Sequence, residues 1–67
     1  MKYNAVGLKA ALMARGTSVT WLAEQTGILR QSVSYIVNGT RKADQDKAEK
    51  IAAALNMPLD ILFEECV

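Results

Sequence analysis

Apolar residues recur at helical spacing in five short segments of the chain. The clearest stripe has the i, i+3, i+4, i+7 spacing of one helix face and consists of Ala48, Ile51, Ala52 and Leu55. The pattern predicts helices over about residues 4–15, 19–26 and 29–38, a fourth that begins after Asp44, and a fifth that begins near Pro58. Alternating runs typical of strands are nearly absent, so a single all-α domain over residues 1–67 is expected.

Capping and stop residues delimit these helices. Asn4, Ser18 and Asp44 precede the first, second and fourth helices, where a side-chain oxygen can accept hydrogen bonds from free backbone N–H groups. Glycines end the first three helices; they are Gly16, Gly27 and Gly39. Only about three residues separate the second helix from the third, and a tight glycine turn between two steeply crossing helices is the helix-turn-helix arrangement. The small core expected to fix that crossing consists of Leu22, Ala23, Val33 and Ile36.

The third helix has one apolar and one hydrogen-bonding face when its residues are placed at 100° intervals. The apolar face carries Leu29, Val33, Ile36 and Val37. The polar face has no acidic residue and carries Arg30, Gln31, Ser34, Tyr35 and Asn38. Arginine can fork onto guanine O6 and N7, and glutamine can pair with adenine N6 and N7. This composition favours the reading of DNA bases, with an ordinary solvated helix face as the alternative.

Two segments beside this face are suited to phosphate oxygens. The turn after the third helix ends in two cations and consists of Asn38, Gly39, Thr40, Arg41 and Lys42. At the start of the second helix, Thr17 and Ser18 offer hydroxyl and free N–H groups. Phosphate contacts position a protein on DNA without reading its sequence. Simple helix capping is the alternative role for the two hydroxyls, and both roles can coexist.

Charge is distributed unevenly along the chain. The net charge is only +1, but residues 1–42 carry +5 and residues 43–67 carry −4. A basic first part is expected of a protein that binds a polyanion. Ordinary scatter of surface charge would explain the same numbers.

Taken together, these motifs resemble the Cro/C1-type (XRE-like) helix-turn-helix family of phage and bacterial repressors. The matching stretches are residues 19–28, 30–34, 38–39 and 51–62. The resemblance implies a compact five-helix, lambda-repressor-like DNA-binding domain whose third helix enters the major groove of double-stranded DNA. It also implies dimers on pseudo-palindromic operators. By position it assigns base reading to Arg30, Gln31, Ser34 and Tyr35, and backbone contacts to Ser32, Asn38, Thr40 and Arg41.

The chain departs from the family pattern at three places. Val19 stands where glutamine is frequent, and Leu29 stands where a serine or threonine often caps the third helix, so that helix end is expected to be less well fixed. Leu12 and Val37 replace a frequent arginine–glutamate pair. Replacing both members of a buried ion pair by apolar residues is neutral or stabilising. We therefore predict that Leu12 and Val37 contact each other in place of the charged pair.

The chain is expected to act as a small Cro-like phage or prophage repressor without a separate oligomerisation domain, forming a weak homodimer that DNA strengthens. The candidate dimer contacts near the C-terminus are Leu59, Phe63 and Val67, with an intramolecular core role as the alternative. Trp21 is expected to pack half-buried against the core, with stacking on DNA as the alternative, and Tyr3 is expected to lie in a frayed N-terminus. A second function class is a protein-binding antitoxin or repressor-neutralising module, which the acidic stretch 60–65 would serve.

Catalysis is not expected. The chain has no histidine, and its only thiol is Cys66, so the residues offer neither a metal site nor a nucleophile beside a base. No small-molecule cofactor is therefore anticipated. No apolar run approaches the ~18 residues of a membrane span and no signal-peptide core is visible, so a cytoplasmic protein of a bacterial cell or phage-infected host is expected.

Overall fold

The computed structural model describes residues 2–66 as five short helices and three short strands. In chain order the elements are β1 (Lys2–Ala5), α1 (Leu8–Ala14), α2 (Val19–Thr26), α3 (Arg30–Val37), β2 (Ala43–Asp44), α4 (Gln45–Leu55), α5 (Leu59–Leu62) and β3 (Phe63–Cys66). The five predicted helices are therefore present.

Local capping chemistry sets the limits of α2 and α4. The Ser18 side chain accepts a hydrogen bond from the Trp21 N–H at 3.2 Å, and Asp44 Oδ1 accepts one from the Lys47 N–H at 2.9 Å. Gly27 ends α2 in the left-handed conformation at φ 73°, which costs glycine no steric strain. These three predictions are confirmed.

A three-stranded antiparallel sheet corrects the all-α expectation to a mostly helical fold. β1 lies in the centre and pairs with β2 on one side and β3 on the other, so that Tyr3 lies opposite both Ala43 and Glu65. Strands of two to four residues are too short to show a hydrophobic alternation. Asn4 lies in β1, so the predicted cap at Asn4 is wrong.

The link from β1 to α1 is held against the end of α5. The N–H groups of Val6 and Gly7 both donate to the Leu62 carbonyl oxygen, at 3.0 and 3.1 Å. A Cβ on Gly7 would lie 2.6 Å from the Ile61 carbonyl oxygen, closer than a side chain can approach. The close backbone approach therefore requires glycine here, and α1 begins after it at Leu8.

The core joins the inner faces of the helices to one side of the sheet. Tyr3 is buried at 9% exposure, and its ring packs edge-on against Phe63 with 6.3 Å between centroids, so the expectation of a frayed Tyr3 is wrong. Trp21 is half-buried against the core, as expected. Leu12 and Val37 are both buried in this cluster, and their direct contact stays a prediction.

Candidate nucleic-acid interface

The crossing of α2 and α3 presents the polar face of α3 to solvent. The four residues predicted to fix this crossing are all buried, and they are Leu22, Ala23, Val33 and Ile36. Because one side of α3 is packed in the core, the helical period places the opposite side on the surface.

A shallow groove of about 430 Å³ lies on that surface. Its lining residues, none of them acidic, are Val19, Arg30, Gln31, Ser34 and Tyr35. The structure thus brings together all four residues predicted to read bases, and adds Val19 from the first turn of α2. Arg30 and Gln31 are exposed, whereas Ser34 and Tyr35 are half-buried.

Hydrogen bonds and a ring contact hold these side chains in place. Gln31 Nε2 donates to Tyr35 Oη at 3.0 Å, and Asn38 Nδ2 donates to Ser34 Oγ at 3.4 Å. The Arg41 guanidinium lies over the Tyr35 ring with its Cζ 4.9 Å from the ring centroid, within range of a cation–π interaction. Tyr35 therefore links a side chain of the polar face to a cation of the following turn.

The turn after α3 folds back onto the end of that helix. The N–H groups of Thr40 and Arg41 both donate to the Tyr35 carbonyl oxygen, at 2.9 and 3.2 Å, and Gly39 takes the left-handed conformation at φ 78°. Thr40, Arg41 and Lys42 are all exposed. Arg41 thus lies beside the polar face through its contact with Tyr35, and Lys42 follows it on the same exposed turn.

The hydroxyls at the start of α2 are engaged within the protein. Thr17 Oγ1 donates to the Leu12 carbonyl oxygen at 3.3 Å, and Ser18 caps α2. These contacts show that the hydroxyls of Thr17 and Ser18 have a structural role within the protein, which was the alternative to phosphate binding. Ser32 is half-buried on α3. Phosphate contacts by Thr17, Ser18 and Ser32 stay predictions.

The C-terminal residues predicted to form a dimer contact have different environments. Phe63 is 2% exposed and its ring is used within the subunit, so it has no side-chain surface left for a partner. Leu59 is partly buried against the core, and Val67 lies outside the described residues. The large apolar side chains that are exposed near this end of the fold are Val6, at 59%, and Ile61, at 56%.

Leu29 is 77% exposed, so its placement on the apolar face of α3 is corrected. It precedes the helix with φ −56° and ψ 135°, an extended conformation in which a helical wheel no longer gives the direction of the side chain. No side chain caps α3, and the expectation that this helix end is less well fixed stays a prediction. The N-terminal end of α3 thus carries an exposed hydrocarbon side chain beside Arg30.

Over residues 2–66 there is no group of three or more histidine, cysteine, aspartate or glutamate residues that could hold a metal ion. Within the same residues, no helix is long and apolar enough to cross a membrane. Outside the groove lining, the Asp44 carboxylate accepts a hydrogen bond from the Lys47 backbone N–H, and this bond lowers the pKa of Asp44.

Comparison with known proteins identifies the fold and the family. No curated protein sequence matches the chain. A crystal structure of a protein from Bacteroides fragilis, described as a candidate DNA-binding protein, is similar with a TM-score of 0.81 and 24% identity. The similarity covers 92% of this chain and 98% of that one. The helix-turn-helix family model matches residues 8–62. The chain therefore belongs to the helix-turn-helix family, a family of DNA-binding regulators rather than enzymes.

Proposed function

We propose that this protein is a sequence-specific transcriptional regulator of the Cro-like repressor type, in which α3 enters the major groove of double-stranded DNA. The observation that carries this proposal is the exposed groove on α3, where Arg30, Gln31, Ser34 and Tyr35 converge. In the helix-turn-helix docking geometry, the N-terminal residues of the second helix of the motif contact base edges. Arg30 and Gln31 occupy that end of α3, and they are the two side chains able to pair bidentately with guanine and adenine.

Phosphate contacts would complete the interface. Arg41 and Lys42 are exposed on the turn that folds back onto α3, so they can neutralise phosphates on a strand flanking the groove. If about four lysine or arginine residues per subunit do so, log K should fall with log salt with a slope of about −3.6 per subunit. Lys42→Ala should then weaken binding to all sequences alike and reduce the slope by about 0.9.

A homodimer on two half-sites is the proposed assembly. Half-sites one turn of B-DNA apart place the subunit centres about 34 Å apart. The described subunit extends 31 Å along its longest axis, slightly less than this spacing, so two subunits would touch at most end to end, through side chains that bridge the remaining distance. The small contact area favours a weak dimer that assembles on DNA. Leu59 stays the proposed contact, joined by the exposed Ile61 on the same short helix.

A protein-binding role on the same frame is the second candidate. Asp60, Glu64 and Glu65 are exposed, and the latter two lie on β3, an edge strand of the sheet. An acidic edge strand could pair with a basic segment of a toxin or of another repressor. This role would leave the polar face of α3 unused.

Selection of bound duplexes from a random pool, followed by footprinting, tests the proposal. We expect one shared motif and a two-fold symmetric footprint with half-site centres about 34 Å apart. Arg30→Ala should relax base preference at one position by ~1–3 kcal/mol. Lys50→Ala is a matched control for Lys42→Ala, because Lys50 pairs with Asp46 at 3.2 Å on α4, away from the groove lining. Failure to enrich any duplex would contradict the proposal and favour the protein-binding role.

A further inference from the structure

Among residues 2–66, Leu29 has the most exposed of the large apolar side chains, and it occupies the N-cap position of α3 next to Arg30. A single exposed leucine elsewhere on a surface would need no explanation. At this position the side chain stands at the end of the helix that the proposed function directs into the major groove.

Leucine at this position is unfavourable for the fold. The N-caps of α2 and α4 are Ser18 and Asp44, and both side chains accept a hydrogen bond from the first turn of their helix. Leu29 accepts none with its side chain, so the first turn of α3 lacks this stabilisation. At 77% exposure its hydrocarbon also gains little from burial. A residue that breaks a local rule without a compensating internal contact indicates a functional position.

We propose that Leu29 contacts the 5-methyl group of a thymine next to the base read by Arg30, and thereby selects thymine at that operator position. The methyl group is the one apolar feature that a base pair presents in the major groove, and an apolar side chain recognises it by excluding water. Leu29 has no polar atom in its side chain and adjoins the base-reading end of α3. This inference rests on the proposed function.

The test replaces single thymines of one half-site of the selected duplex by deoxyuridine, which lacks only the methyl group. For the wild-type protein, one such replacement should weaken binding about fourfold, the value of one buried methylene-sized group. For Leu29→Ser, thymine and uracil at that position should bind equally. Met13→Ala is the matched control, since Met13 is 73% exposed on α1, and it should keep the fourfold difference.

Thermal unfolding of the same variants separates this role from a structural one. Serine supplies the missing cap, so Leu29→Ser should raise Tm by about 4–8 °C while it abolishes thymine selection. The inference is overturned if no thymine shows a methyl effect that Leu29→Ser removes, or if Met13→Ala removes the same effect. Failure of the wild-type protein to bind any duplex would instead contradict the proposed function.

Discussion

Tyr35 is expected to hold Gln31 ready for an adenine, and Tyr35→Phe tests this by removing a single oxygen atom. The lost atom is the Oη that accepts the hydrogen bond from Gln31 Nε2 at 3.0 Å. The amide nitrogen has a second hydrogen for adenine N7, and the amide oxygen stays free for adenine N6–H. The phenylalanine ring remains beneath Arg41, so the cation–π contact is preserved.

The expected loss of binding free energy in Tyr35→Phe follows from one exposed hydrogen bond and from the rotamer entropy of the Gln31 side chain. An intramolecular hydrogen bond contributes about 0.5–1.5 kcal/mol net, and a free glutamine loses up to ~2 kcal/mol of rotamer entropy when DNA fixes it. Because the Gln31 amide is exposed, the lower part of the hydrogen-bond range applies, about 0.5–1 kcal/mol, and Tyr35→Phe should weaken binding about two- to fivefold. Tyr35→Ala should cost a further ~0.5–1 kcal/mol through loss of the Arg41 contact.

Fluorescence anisotropy titrations of one selected duplex at fixed salt provide the measurement. Wild type, Tyr35→Phe, Gln31→Ala and the double variant form a double-mutant cycle, in which the two substitutions should couple by at least ~0.5 kcal/mol. Tm should change little in Tyr35→Phe, because the lost bond is on the surface. Strictly additive effects of the two substitutions would refute the positioning role of Tyr35.

Three further predictions concern the fold. Gly7→Ala should lower the free energy of unfolding by ~1–3 kcal/mol, because its Cβ would meet the Ile61 carbonyl oxygen at 2.6 Å; a Tm equal to that of wild type contradicts this. Phe63→Ala should lower it by ~3–5 kcal/mol in urea titrations, since the ring is buried at 2% exposure, and a loss below ~1 kcal/mol would show that the ring is dispensable. The depressed pKa of Asp44, caused first by the Lys47 N–H, stabilises the fold at neutral pH, and this stabilisation is lost as the pH falls below about 4. Asp44→Asn replaces the charged cap by a neutral one. The difference in Tm between wild type and Asp44→Asn should therefore shrink between pH 6 and pH 3, and a pH-independent difference would contradict this prediction.

The helices and the candidate interface were largely predictable, because their signals are local. A cap such as Ser18 or Asp44 acts on an N–H group three residues away, and Gly27 ends α2 through its own backbone conformation. The polar face of α3 follows from the helical period, since every third or fourth residue points the same way. For this reason the groove contains four of the five residues that sequence spacing had placed on the polar face.

Leu29 shows where the helical period stops being informative. The residue lies one position before α3, and its extended backbone sends the side chain into solvent instead of toward the core. A residue inside the helix has a side-chain direction that the helical wheel predicts, whereas a residue one position before the helix does not. Helix ends are the least certain part of a sequence-based prediction.

The amino-acid order alone determined the cap and glycine stops of the central helices and the hydrogen-bonding face of α3, because each depends on neighbours within about four residues. Only the tertiary structure decided that Lys2–Ala5 forms the central strand of a sheet, with Tyr3 buried against Phe63. The β1–β3 pairing joins residues about 60 positions apart, such as Lys2 and Cys66. Strands this short have no periodic pattern of their own, and they form because the helices bring both ends of the chain together.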